Sequence, residues 1–245
     1  PIPHLLQFKD HACTCDRFAI DEYGDHLHSC TQHAGATTGA HEHILTAVQR
    51  LFNQAGYATE RKNVPHSRGM KKADLHVKDF RLEGIRDVII DVTLRGEFHG
   101  SCIDPARNGE ASYADPNGAI EAAVKAKLDN YQHDYSERNF LFLLAVMTTS
   151  GRISGDFLRL LYILAHRQAA NFFTRMGIPD PSPKAYKQRR GTYFYYNRAA
   201  IGLACAQATA MRIDIAPHKR PLRKPPHHVP DLHLFHISPH ALLHD

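Results

Sequence analysis

A chain of 245 residues, 43% hydrophobic and 22% charged, can bury one substantial core, and a composition this balanced excludes a collagen-like or wholly disordered chain. No apolar run reaches the roughly 18 residues of a membrane-spanning helix; the formal charge of +5 with 19 histidines favours a polyanionic partner. Five cysteines, three of them within the first 30 residues, are too few and too unevenly placed for a disulfide framework and fit a metal site in a reducing compartment.

Residues 1–38 form a Cys/His-rich leader with little periodicity, and the start at Pro1 rather than Met is expected of a fragment or processed product. A helix is predicted over 40–55, with Ile44, Val48, Leu51, Phe52 and Ala55 on one stripe and Gly56 as its stop. Strands are predicted at 57–64, around Asp74, and around Asp91, the last two joined by a hairpin-like connection over 79–84. A loop rich in Gly, Asp and Pro leads from Gly96 to a helix over 119–135, followed by the apolar strand 140–147. The order helix, three strands, helix, strand predicts an α/β layer, a small mixed sheet flanked by helices, over residues 39–150. Residues 151–214 read as a helical extension. It holds a helix over 156–176 with Phe157, Leu158, Leu161, Leu164 and Ala165 inward, then a basic, Pro-rich linker, then a helix over 193–212. The linker carries Lys184, Lys187, Arg189 and Arg190. The His/Pro/basic tail 215–245 lacks the means to bury a core and is expected to be a disordered tether.

Two of these strands each carry a carboxylate in an apolar background. At strand period Val88, Ile90, Val92 and Leu94 share one face and Ile89, Asp91 and Thr93 the other; upstream, Ala73, Leu75 and Val77 oppose Asp74 and His76. Each aspartate alone is readily explained as a solvated or locally paired group, but two on adjacent strands suggest a hard-cation site. The helix over 119–135 supplies a third member. Lys127 falls in the middle of the apolar face formed by Ile120, Ala123, Val124 and Tyr131, whereas Lys125 lies opposite. A lysine so placed either snorkels or meets a negative partner, and Tyr131 shares its direction one turn later.

With these residues the chain resembles the PD-(D/E)xK restriction-endonuclease-like nucleases. The likeness is to the variant found at the C-terminus of site-specific non-LTR retrotransposon proteins. It rests on Ala73-Asp74, on Asp91-Val92-Thr93 and on Lys127 with Tyr131, and it covers roughly residues 10–150. Thr93 stands where the general family has lysine, and Lys127 looks like its migrated replacement. The resemblance implies a restriction-endonuclease-like core in which Asp74 and Asp91 hold Mg²⁺ or Mn²⁺, with assistance from the Val92 carbonyl. Lys127 would be the catalytic cation and Tyr131 its positioning neighbour, and cleavage of DNA would leave 3′-hydroxyl and 5′-phosphate ends. A further ligand would come from the start of the first core helix, with Glu42 and His41 as alternatives.

Upstream, Cys13, Cys15 and Cys30 with one imidazole can close a tetrahedral zinc site. The resemblance selects His26 over His28 as the fourth ligand of a structural zinc knuckle, with His11 and His33 as further alternatives. Arg61, Lys62, Arg68, Lys71 and Lys72 precede the Asp74 strand and are read either as a solvated loop or as contacts to DNA phosphates. The family setting implies DNA as partner, the RNA of a retroelement as a second candidate, and a nuclear place of action. The competing expectations are a catalytically inactive, zinc-stabilised nucleic-acid-binding module and a zinc-organised protein-interaction domain.

Overall fold

A computed structural model describes residues 2–6, 13, 15, 17–62, 64–65, 72–81, 87–101, 107, 109–136, 138 and 140–214. Arg68, Lys71, most of the 79–84 connection, Cys102 and the tail 215–245 lie outside these residues. In chain order the elements are α1 (Pro3–Leu6), α2 (Asp25–Ser29), α3 (Ala34–Gln54), β1 (Ala58–Glu60), β2 (Leu75–Lys78), β3 (Asp87–Arg95), α4 (Gly118–Ser136), β4 (Phe140–Thr148), α5 (Gly155–Arg175) and α6 (Pro183–Asp214). The mixed α/β architecture expected from the sequence is present, as a four-stranded sheet in the order β1-β2-β3-β4 flanked by helices. The first two pairings are antiparallel and β3 pairs with β4 in parallel, Asp91 opposite Leu144. A parallel pair needs a crossover, and α4 is that crossover.

The period-2 pattern of β3 divides the core. Val88, Ile90, Val92 and Leu94 pack with Leu75, Val77, Ala145 and Met147 against α3, α5 and α6. Ile89 packs on the opposite face with Phe142, Leu144 and Val146, beneath Ile120, Ala123 and Tyr135 of α4. Asp91, two residues from Ile89, therefore belongs to the α4 side. Ala73 departs from the expected alternation: it precedes the strand and joins the α4-side cluster rather than the Leu75 side. Tyr135 holds it there, its hydroxyl accepting from the Ala73 N–H at 3.3 Å and donating to the Pro65 carbonyl at 2.9 Å.

Several boundaries differ from expectation. α3 starts at Ala34, directly after a 3₁₀ turn over Thr31–His33, because Ala36 and Ala40 are buried and extend the stripe one and a half turns upstream. It ends as expected, at Gly56 with φ 83°. β1 is three residues rather than eight and is an edge strand, while Val64 turns into the α4-side cluster. In α5, Leu160 takes the fully buried place and Leu158 is only half-buried. The largest correction concerns Lys184, Lys187, Arg189 and Arg190: they are not in a linker but on the first turns of α6, which runs 32 residues from Pro183. Ser182 caps it, its Oγ accepting the Ala185 N–H at 3.3 Å, and proline is tolerated at the first helical position because its missing N–H has no partner to lose. Among the described residues no helix is long and apolar enough to cross a membrane.

Replacing Tyr135 with Phe should lower unfolding free energy by about 1–3 kcal/mol, since a buried Ala73 N–H loses its acceptor. Urea denaturation with an unchanged m-value is the expected signature; a loss under a few tenths of a kcal/mol would show that the hydroxyl does not fix the entry to β2.

Candidate metal centre and carboxylate–lysine site

Four residues of the leader converge on one point. Cys13, Cys15, His26 and Cys30 each present a ligand atom, and these four atoms lie within 4.8 Å of one another. The group could hold a metal ion, and it is the only such His/Cys/Asp/Glu group among the described residues. Its edges suit zinc: Cys13 Sγ lies 3.8 Å from Cys30 Sγ and Cys15 Sγ lies 3.4 Å from His26 Nε2. A tetrahedron with Zn–S near 2.3 Å and Zn–N near 2.0–2.1 Å has edges of roughly 3.8 and 3.5 Å.

Local sequence explains the placement. Gly24 takes a left-handed φ of 76°, and Asp21 folds the turn by accepting N–H groups from Tyr23 and Asp25 at 3.0 Å and from His26 at 2.8 Å. The motif Asp-x-x-Gly was the readable signal for this turn. The ring is then fixed from a distant loop: His26 Nδ1 meets the Gly100 carbonyl at 3.0 Å and Ser101 Oγ at 2.8 Å, leaving Nε2 for the thiolates. Such a partner on the second ring nitrogen is what orients a metal-ligating histidine. Gly100 approaches so closely that a Cβ there would sit 2.0 Å from the Asp25 backbone. Of the alternative histidines, His28 turns away with Arg212 beside it, and burial pushes it down to about 4. His33 lies outside the group of four and reaches Cys13 Sγ at 3.3 Å, a contact that spacing alone did not single out.

Burial and the neighbouring Cys13 and Cys15 push the Cys30 thiol up to about 12. Against the upward push of burial, the Arg17 and Phe18 N–H groups hold Cys15 below its ordinary value. Three sulfur atoms so close cannot all ionise without a cation among them, so metal binding here must release protons.

The second constellation lies on the sheet. Lys127 Nζ is 2.9 Å from Asp91 Oδ2, and the Thr93 hydroxyl donates to the same oxygen at 3.3 Å. Asp74 Oδ2 accepts the Val92 N–H at 2.7 Å, which places this carboxylate beside the residue following Asp91. From α3, His41 Nε2 lies 3.1 Å from the Val92 carbonyl and 3.3 Å from Asp74 Oδ2. Both neighbours are acceptors, so Nε2 carries the proton. Tyr131 closes the far side: Lys127 Nζ sits 5.6 Å from its ring centroid, and the ring packs on Tyr135 and Phe142.

Burial and the Asp91–Lys127 pair together set the electrostatics of this site. Burial pushes the Asp91 carboxyl above the usual range, Lys127 opposes this, and Asp74 adds to it. Lys127 stays firmly protonated: burial disfavours its charge, but Asp91, Tyr131 and Asp74 outweigh it. The hydrogen bond to Asp74 raises His41 in spite of its burial.

Of the residues singled out in the sequence, the structure brings together His41, Asp74, Asp91, Lys127 and Tyr131. It leaves Glu42 outside: that side chain is exposed and pairs with Arg61 at 3.2 Å. On the helical wheel His41 lies within the Ile44/Val48 stripe and Glu42 at its flank; the contacts of His41 with Asp74 and of Glu42 with Arg61 decide between them. Lys72 donates to the Lys62 carbonyl, so these two exposed lysines adjoin each other just before Asp74. Comparison with protein-family models, with curated proteins and with solved structures finds no match.

One equivalent of zinc per chain is expected by elemental analysis of protein purified without chelator, and Cys30→Ala should abolish it. Retention of a full equivalent by Cys30→Ala would remove that cysteine from the ligand set. Gly100→Ala, which forces the loop off Asp25, should weaken zinc binding by about 10–100-fold, the usual cost of losing an outer-shell partner. A competition titration with a chromogenic chelator measures it.

Proposed function

We propose that this chain is a metal-dependent DNA endonuclease domain. The observation that carries the reading is the convergence of Asp74, Asp91 and Lys127, with Lys127 Nζ 2.9 Å from a carboxylate that is only 3% exposed. A buried ion pair contributes little net stability compared with apolar residues of the same size, so its presence in an otherwise hydrophobic layer favours chemistry over architecture.

The donor set fits Mg²⁺ or Mn²⁺: two carboxylates and the Val92 carbonyl are hard oxygen ligands, and a cation beside Asp91 would offset the burial that disfavours its charged form. A divalent cation held there supplies Lewis acidity toward the scissile phosphate and its attacking water. The protein's own residues do the rest. Lys127, kept protonated by Asp91, stabilises charge building on the phosphoryl oxygens. Tyr131 limits where the ammonium can move, and Thr93 fixes the rotamer of Asp91. His41 positions Asp74 and the Val92 carbonyl. Lys62 and Lys72, which adjoin each other just before Asp74, would meet the phosphate backbone, and Arg61 is tied to Glu42 and Thr46. The knuckle is a structural zinc site helping to grip the duplex. Retroelement origin, a nuclear place of action and products with 5′-phosphate ends belong to the same proposal. The alternative reading, a zinc-stabilised module that binds nucleic acid without cutting, keeps the basic residues but gives Asp91 and Lys127 no task.

Nicking of supercoiled plasmid in Mg²⁺ tests this. Asp91→Ala should abolish cleavage, and Lys127→Ala should slow it by about 10²–10³-fold, the usual loss for one charge-stabilising group. Restoring a lysine on the strand, as Thr93→Lys in a Lys127→Met background, should recover part of the rate. Plasmid binding without nicking by the zinc-loaded wild type would establish the alternative.

A further inference from the structure

The N-terminal half of α6 is a strongly basic helix segment. Residues 183–198 contain Lys184, Lys187, Arg189, Arg190 and Arg198 and no Asp or Glu. None of the five takes part in an ion pair among the described residues. A run of like charge on one helix segment is costly unless something of opposite sign covers it.

Aromatic rings are interleaved with this charge. Arg189 lies over Phe172 at 3.9 Å, Arg190 over Tyr162 at 4.7 Å and Arg198 over Phe194 at 5.7 Å. Each guanidinium is thereby held by a ring from α5 or α6, and less rotamer freedom is lost when it meets a phosphate. Tyr195 stands outward at 68% exposed, and Tyr196 is 40% exposed. At 100° per residue Lys184, Lys187, Gly191, Tyr195, Arg198 and Gly202 form one outward stripe. The two glycines on it have no packing reason within the chain: a Cβ at either would meet nothing within 4 Å. Each costs the helix relative to alanine, and the loss makes sense where another backbone must come close.

We infer that this stripe is a binding surface for single-stranded nucleic acid, with phosphates on Lys184, Lys187 and Arg198 and a base stacked on Tyr195. A basic track with exposed rings is the pattern that holds single strands, because every base has a face to stack while a duplex hides it. The chain's own tail does not complement the stripe, since it brings Lys219, Arg220, Arg223 and Lys224 against two aspartates. The inference does not rest on the nuclease reading: α6 contributes nothing to the Asp91 site, and binding is measured without Mg²⁺, where cleavage cannot occur.

Fluorescence anisotropy of the full zinc-loaded chain with labelled oligo(U), oligo(dT) and a duplex of about 20 base pairs tests it. Both single strands should bind more tightly than the duplex. Tyr195→Ala should weaken them about five- to tenfold or more, the scale of one lost base–aromatic stack, and leave the duplex almost unchanged. Lys184→Ala with Lys187→Ala should weaken all three and lower the salt slope for single strands by roughly 1.4, two phosphate contacts at about 0.7 each. A preference for oligo(U) would assign RNA as the natural strand, and equal binding would assign either. Wild-type affinity for single strands in both variants would overturn the inference. So would a chain that binds no oligonucleotide but sediments as a dimer broken by Gly191→Leu, which would make the stripe a contact between copies.

Discussion

The parallel pairing of β3 with β4 is the constraint on which the rest of the molecule depends. Nine residue pairs hold the two strands in register, and parallel neighbours cannot be joined by a turn. The connection has to travel the length of the sheet, and it does so as α4, lying on the face that carries Ile89 and Asp91. One hydrophobic requirement, covering Ile89, Phe142, Leu144 and Val146, thus delivers Lys127 to a carboxylate 36 residues earlier in the chain. The other face is sealed by α3, α5 and α6, so β3 is buried on both sides and tolerates a charge only where a partner reaches it.

The Cys/His cluster and the carboxylate–lysine site are joined through the same scaffold. Cys30 runs through one 3₁₀ turn into α3, and the first turns of α3 carry His41 to Asp74 and the Val92 carbonyl. On the other side the loop after β3 returns through Gly100 and Ser101 to hold the His26 ring. The Cys/His cluster and the sheet are thus tied at two points, through the start of α3 and through the loop that holds the His26 ring.

Much of this was legible beforehand because it depends on period. The alternation of Val88 to Leu94 placed Asp91 and Thr93 on one face, and the helical wheel placed Lys127 among apolar residues; both arrangements are present. Less legible were features that depend on what a residue meets. Ala73 changed sides because a tyrosine hydroxyl 62 residues away takes its N–H. Glu42 gave way to His41 because Arg61 claims the carboxylate. The basic stretch after residue 182 read as a linker because Pro181 and Pro183 break helices in their interiors; Ser182 and Pro183 together instead start one.

By itself, then, the sequence determined the mixed α/β class, the faces of β3 and α4, and the residues able to bind a metal in the leader. Short-range geometry sets these, and a period or a ligand type can be read from neighbours in the chain. Only the tertiary structure decided which distant groups hold the His26 ring toward the thiolates, that His41 and not Glu42 meets Asp74, and that α6 carries a charged aromatic stripe. Each of those outcomes is a competition between partners distant in sequence, and it is settled by which of them the packed core brings within a few ångströms.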